Sequence, residues 1–247
     1  MLVFLIDLDG TIQGDVSSQV KEFQLLNQLK KKCKGVKHNK KGLEEDLMKN
    51  LLRPGFQTFM DFIKTTNIEL YIYTASDKKW ALHLIPVLEK IIDHKFNKPI
   101  FTRDHCMVDD HNIYYKSIEH VQPLVFKNLK KLHPTLTKDE LDIRLIDNNY
   151  VLKSDESDKL IKCTTYNYGV ICDPLRSISH DVINTHIKLI SSLLITITTK
   201  SSSIWLFNKI FYNKMYRKHR KQSRINNKFE HKEDLFWKDM ITWVKRY

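Results

Sequence analysis

Asp7 and Asp9 stand two residues apart where an apolar run stops, in the stretch FLIDLDGTIQ (residues 4–13). On an extended chain that spacing turns both carboxylates to one side. Hydrolysis of a phosphate monoester needs such a pair. The dianion must be neutralised, an oxygen nucleophile must attack in line, and the leaving oxygen must receive a proton. Asp7, at the strand end, can be the carboxylate nucleophile and form an aspartyl-phosphate. Asp9 can serve as general acid and then as general base. A hard cation such as Mg²⁺ would reduce the repulsion between carboxylate and phosphate, and Asp147 and Asn148 are placed to complete its shell. Thr74 and the amides after it can hold phosphate oxygens, and a lysine would neutralise developing charge.

These residues need elements that bring them together. VFLID at the amino terminus is a fully apolar, β-prone run, and IELYIYTAS (68–76) and LDIRLIDNN (141–149) read as two further strands; all three end in hydroxyl, acid or amide residues. They predict buried parallel strands, and a fourth is expected within SDESDKLIKCTTYNY. Helical spacing is expected over 17–32, 56–64, 78–92 (with Pro86 inside), 125–133 and 178–194, with a basic loop, KKCKGVKHNKK, after the first. Strands alternating with helices predict an α/β fold with a mainly parallel sheet and helices on both faces. Ligands of such sheets sit at the carboxyl ends of the strands, which is where the three polar stretches converge.

The chain has 247 residues, enough for one large domain or one domain with an appendage. Its net charge is +12, and residues 200–247 hold 13 Lys or Arg against 4 Asp or Glu, so the excess is concentrated there. A domain over 1–199, with a small insertion near 93–115, and a basic extension over 200–247 are expected. The extension suits an anionic partner, either nucleic acid or an acidic protein segment. Within it, Phe207, Ile210, Phe211 and Met215 recur at roughly helical spacing among bases, while FWKDMITWV (236–244) could instead fold back as core. Four cysteines without a CxxC spacing favour a reduced, intracellular setting, cytoplasmic or nuclear. MLVFLI is too short for a signal-peptide core, and LISSLLITITT (189–199) is too short for a membrane span, so no span is expected.

DLDGT after an apolar strand resembles the first motif of the haloacid-dehalogenase-like (HAD) phosphatases, YTAS resembles the second and LIDNN the fourth. LLRPGFQTFMDFI followed by IYTASDKKWA, then FTRDHC (101–106) and HNIYYKSI (111–118), is similar to the RNA polymerase II C-terminal-domain phosphatases. These are also called NLI-interacting-factor-like phosphatases. The resemblance covers about residues 2–12 and 50–175. It implies a HAD-type, Rossmann-like fold with a small β insertion acting as a partial cap, and a Mg²⁺-dependent phosphatase acting on phosphoserine or phosphothreonine in a phosphoprotein or phosphopeptide. It also implies roles. Asp7 is nucleophile and metal ligand, and Asp9 is acid/base and gives its carbonyl to the metal. Thr11 supports the loop, and Thr74 and Lys116 bind phosphate. Asn148 ligates metal with Asp147 beside it. Ala75 belongs to the phosphate-binding second motif, and Trp80 and Arg103 match positions lining the substrate groove.

Each of these residues has a plainer reading when taken alone. Asp7 and Asp9 could cap a turn, Lys116 could be a surface lysine, Arg103 a surface ion pair and Trp80 core packing. Cys106, beside Asp104 and His105, reads as a structural cysteine, and DDH (109–111) as a hairpin turn. Four motifs in order outweigh those readings for the acids and Lys116. The chain departs from the family over 13–49, which is helical and Lys-rich, and at Asp77, where relatives are more often apolar. Two rivals remain: a HAD-type polynucleotide 3′-phosphatase, which shares DLDGT and suits a basic protein, and a catalytically silent binding module.

Overall fold

Leu2–Ile6 forms strand β1, and all five of its residues are buried. The alternation of side chains across a strand explains why no polar residue interrupts it. Val3 and Leu5 pack on one face with Val121, Val125 and Leu129 of helix α5 (Ile118–Leu132). Phe4 points to the other face, where it meets Phe59 of α3 (Phe56–Ile63) and Trp243 of α8 (Phe236–Arg246). Both faces of the strand are therefore covered by helices.

The computed structural model describes residues 1–33, 36, 40–199 and 234–247, in two compact units. The first comprises residues 1–14, 52–167 and 234–247. It holds a four-stranded parallel sheet in the order β2 (Glu69–Ile72), β1, β5 (Asp142–Asp147), β6 (Leu160–Lys162). Ile6 pairs with Ile72 on one side and Ile146 on the other. That register brings Asp7, Tyr73 and Asp147 off neighbouring strand ends together. A two-stranded hairpin, β3 (Met107–Val108) and β4 (Tyr114–Tyr115), lies within the expected insertion. Asp109 closes it, accepting from the amides of His111 and Ile113, as the turn reading anticipated.

Helix α4 (Lys78–Ile92) begins at Asp77, whose carboxylate accepts from the amides of Lys79 and Trp80, so the residue that departs from the family pattern is a helix cap. Helix α5 starts seven residues earlier than its spacing suggested. Ser117 Oγ accepts from the His120 amide, and the buried carboxylate of Glu156 accepts from Ile118 N–H at 3.0 Å and Glu119 N–H at 2.6 Å. These caps satisfy amides that a helix start leaves open, and one comes from 38 residues away.

The regular elements described in the second unit, residues 15–51 and 168–233, are helices. Its elements are α1 (Ser17–Lys32), α2 (Lys41–Asp46) and a wide turn over Leu47–Leu51, then α6 (His180–Thr185) and α7 (Ile187–Thr199). The single helix expected over 178–194 is thus two, parted at His186. Leu25, Leu26 and Leu29 of α1 pack with Ile190 and Leu193 of α7. Arg176 forks onto Asp46 at 3.0 and 2.8 Å, and its Nε donates to Glu22 at 3.0 Å. No helix among the described residues is long and apolar enough to cross a membrane. The candidate tail helix around Phe207 to Met215 lies outside the described residues.

Candidate active site

Lys116 joins the strand ends. It follows β4 and is fixed through its backbone, donating to Val151 O at 2.6 Å and accepting from Lys153 N–H at 3.0 Å. Its ammonium donates to Asp7 Oδ1 and Asp147 Oδ2, both at 2.6 Å, and lies 5.5 Å from the Tyr73 ring centre. Lys116 is 2% exposed, Asp7 6% and Asp147 1%. Two buried acids thus share one buried base. Burial, followed by the Asp147 and Asp9 charges, pushes the Asp7 carboxyl up to about 7, with Lys116 pulling the other way. Burial alone would depress the Lys116 ammonium, but the two carboxylates outweigh it and hold it above the ordinary lysine range.

Removing the base should therefore be costly. Lys116→Met leaves Asp7 and Asp147 facing each other without compensation, a loss of about 3–5 kcal/mol for a broken buried pair. A denaturant titration should show it, and Asp147→Asn added to Lys116→Met should recover part of the stability. No recovery would mean that the three charges are not coupled.

The turn after β1 places the next residues. Gly10 has φ +80°, and a Cβ there would come within 2.7 Å of Asn148 Nδ2, so this position requires glycine. Thr11 Oγ1 accepts from the Asn148 amide at 3.1 Å and donates to Asn148 Oδ1 at 3.2 Å. Lys162 Nζ donates to the Asn148 carbonyl at 2.7 Å, and Asn149 N–H donates to Asp147 Oδ1 at 2.7 Å. The loop after β5 is thus held from three sides. Asp9 accepts from Gln13 Nε2 at 2.9 Å through Oδ1 and from Ser76 Oγ through Oδ2. Thr74 Oγ1 accepts from Ser76 N–H at 3.1 Å.

Asp7, Lys116 and Asp147 form one hydrogen-bonded set at the carboxyl end of the sheet, linked through Asn149 to Asn148 and Thr11, while Asp9 and Thr74 are joined through Ser76 in a second set. Ala75 and Arg103 form a separate contact: Arg103 Nε donates to Ala75 O at 2.8 Å, and its guanidinium lies 5.4 Å from the Tyr114 ring centre on the hairpin. Arg103 is solvent-exposed. Trp80 is different. It is 4% exposed on α4, with its ring beside His83, so its surface is taken up by packing.

Among the described residues no group of three His, Cys, Asp or Glu gathers around one point. Lys116 already sits on one oxygen of each acid. The donors at the strand ends are all oxygens: the carboxylates of Asp7 and Asp147, the Asn148 amide and the Asp9 carbonyl. With both acids ionised, the buried cluster of two acids and one base carries one surplus negative charge. A hard divalent cation fits that donor set and charge, whereas a thiophilic metal does not.

Four contributors escaped the sequence reading: Gln13, Ser76, Glu156 and Lys162. Ser76 was visible within YTAS as a polar residue past a strand end. Gln13, Glu156 and Lys162 carry no local signal, because each acts across a turn or from a distant segment.

The sequence model of one family, described as NLI interacting factor-like phosphatase, matches residues 2–180. No curated protein sequence matches the chain. The family match covers well over half of the chain and runs from the first residue of β1 to the start of α6, through every strand end that supplies these residues. The chain belongs to the NLI interacting factor-like phosphatases, a family of HAD-type phosphatases.

Proposed function

We propose that the protein is a Mg²⁺-dependent phosphoserine/phosphothreonine protein phosphatase working through an aspartyl-phosphate on Asp7. The observation that carries this reading is the burial of Asp7 against Lys116 and Asp147 at the sheet edge. Lys116 holds Asp7 Oδ1, so Oδ2 is the candidate nucleophilic atom. As Oδ2 bonds to phosphorus, the bond from phosphorus to the serine or threonine oxygen breaks, and Asp9 gives that oxygen its proton. Asp9 then takes a proton from the water that attacks phosphorus, and the Asp7 carboxylate leaves. Thr74 and Lys116 hold phosphate oxygens and oppose the charge that builds on them. Asp7, the Asp9 carbonyl and Asn148, with Asp147 beside them, would hold Mg²⁺. When bound, the ion would neutralise the phosphate dianion against the carboxylates. Arg103, exposed beside Tyr114 and tied to Ala75, is proposed to meet the peptide.

The test is an assay of the full chain against a phosphoserine heptad peptide, a 3′-phosphorylated oligonucleotide and an aryl phosphate. Turnover of peptide and aryl phosphate with Mg²⁺ is expected, reversibly abolished by excess EDTA. Ca²⁺ should occupy the oxygen site and inhibit, because its looser coordination lets the carboxylate turn away from in-line attack. Full activity in EDTA would remove the metal. Turnover of the oligonucleotide alone would replace the protein-phosphatase reading with the polynucleotide one.

A further inference from the structure

Gln13 is fully buried, and its side chain is satisfied at one end only. Its Nε2 donates to Asp9 Oδ1 at 2.9 Å, while its Oε1 has no hydrogen-bond partner among the described residues. The backbone cannot move it aside. Gln13 N–H donates to Leu8 O at 3.1 Å, Gly10 N–H donates to Gln13 O at 2.7 Å, and the residue bridges both Asp9 and Leu52. A buried amide with an unsatisfied oxygen bears a desolvation penalty that a leucine of similar size would avoid. Packing therefore gives no reason for an amide at this position, and the reason must lie with the carboxyl group it holds.

Asp9 has two oxygens, and each accepts from a different neutral donor: Gln13 Nε2 on one and Ser76 Oγ on the other. Two donors on opposite oxygens fix the rotation of the carboxyl group, which a single donor would leave loose. A lysine could do the same geometrically, but its charge would pair with Asp9 and tie up the proton carrier. An amide holds without adding charge. Turning it over would set Oε1 against a carboxylate oxygen, so the observed direction is the attractive one.

We infer that Gln13 is a positioning residue for Asp9: its amide, with Ser76, fixes the carboxyl that delivers the proton to the leaving oxygen. The inference rests on the acid/base role proposed for Asp9. Small misplacement of a group that transfers a proton is costly to rate, and the cost falls on reactions that need the proton.

That dependence gives the test. kcat/KM reports the step that expels the leaving group. It is compared on a phosphoserine peptide, whose alkoxide must be protonated, and on 2,4-dinitrophenyl phosphate, whose leaving group is stable as an anion. Gln13→Leu should lower kcat/KM on the peptide by about 10- to 100-fold and on the dinitrophenyl ester by less than about 3-fold, as loss of general-acid assistance requires. Its melting temperature should stay close to that of the wild type, because loss of the unsatisfied oxygen offsets loss of the hydrogen bond to Asp9. If Gln13→Leu does not fold, Gln13→Met keeps the length of the side chain and carries the same comparison. Equal losses on both substrates, or no loss on either, would overturn the inference while leaving the proposed phosphatase reading intact. A wild-type protein inactive on both substrates would overturn that reading and this inference with it.

Discussion

Replacing Asp7 with Asn is expected to abolish turnover, by about 10⁴-fold or more, the scale seen when a covalent nucleophile is removed. The same change should leave the protein folded and at least as stable. The opposite signs come from one cause. Asp7 and Asp147 are two buried acids on one buried base, so the cluster carries more negative charge than it can neutralise. An amide at position 7 keeps the shape and a hydrogen-bond acceptor for Lys116, and leaves a balanced Lys116–Asp147 pair. The pH dependence follows. In the folded protein the Asp7 carboxyl is pushed up to about 7 by burial and its acidic neighbours, against an ordinary value of 3.8. Between those values the native state holds a proton that the unfolded chain has released. Wild-type stability contributed by this group is therefore lost as pH rises from about 4 to about 7, and Asp7→Asn has no such loss. Melting curves from pH 5 to 8 should show the variant gaining on the wild type as pH rises. Retention of more than a few per cent of wild-type activity would end the nucleophile assignment. A melting difference that stays flat across that range would count against the buried-charge account.

Much of this arrangement was legible because it is local. An uninterrupted apolar run ending in Asp7 is the pattern of a strand covered on both faces, and two more β-prone runs, each carrying charged residues in its first half, end in Thr74 and Asp147. The parallel register then has to gather those ends. Lys116 was legible only through the motif around it, since a lone lysine after two tyrosines signals nothing. What stayed hidden is long-range. The early start of α5 depends on Glu156, and Pro123 inside the helix masked it further. The orientation of Asp9 depends on Gln13 folding back across a tight turn. The helix expected over 178–194 shows continuous apolar spacing, and nothing in that spacing reveals the break at His186.

The carboxy-terminal stretch FWKDMITWV could be read as a docking segment or as core, and its composition could not decide. Its placement in the first unit carries a clear consequence: ending the chain after residue 233 should unfold that unit. Trp237 is 0% exposed, with its ring centre 4.8 Å from those of both Phe56 and Phe59. Trp243 lies 6.1 Å from Phe4, so the same helix covers the central strand that ends in Asp7. The segment also supplies the partner of a buried charge. Arg53 Nε donates to Asp234 at 2.8 Å, and the guanidinium lies 4.8 Å from the Phe236 ring centre. Loss of one buried tryptophan costs about 3–5 kcal/mol, and stripping a buried charge of its partner costs a similar amount. Their sum, about 6–10 kcal/mol, is comparable with the margin of about 5–15 kcal/mol that holds an ordinary domain folded. The truncated chain should therefore be insoluble, or lose its cooperative melt and its turnover of an aryl phosphate together. Trp237→Ala in the full chain should show the first of these costs alone, as a lowered melting temperature with the active-site residues untouched. A truncated protein that melts with the wild-type midpoint and still hydrolyses the aryl phosphate would show that α8 is a passenger on the sheet, and would return the whole basic extension to a docking role.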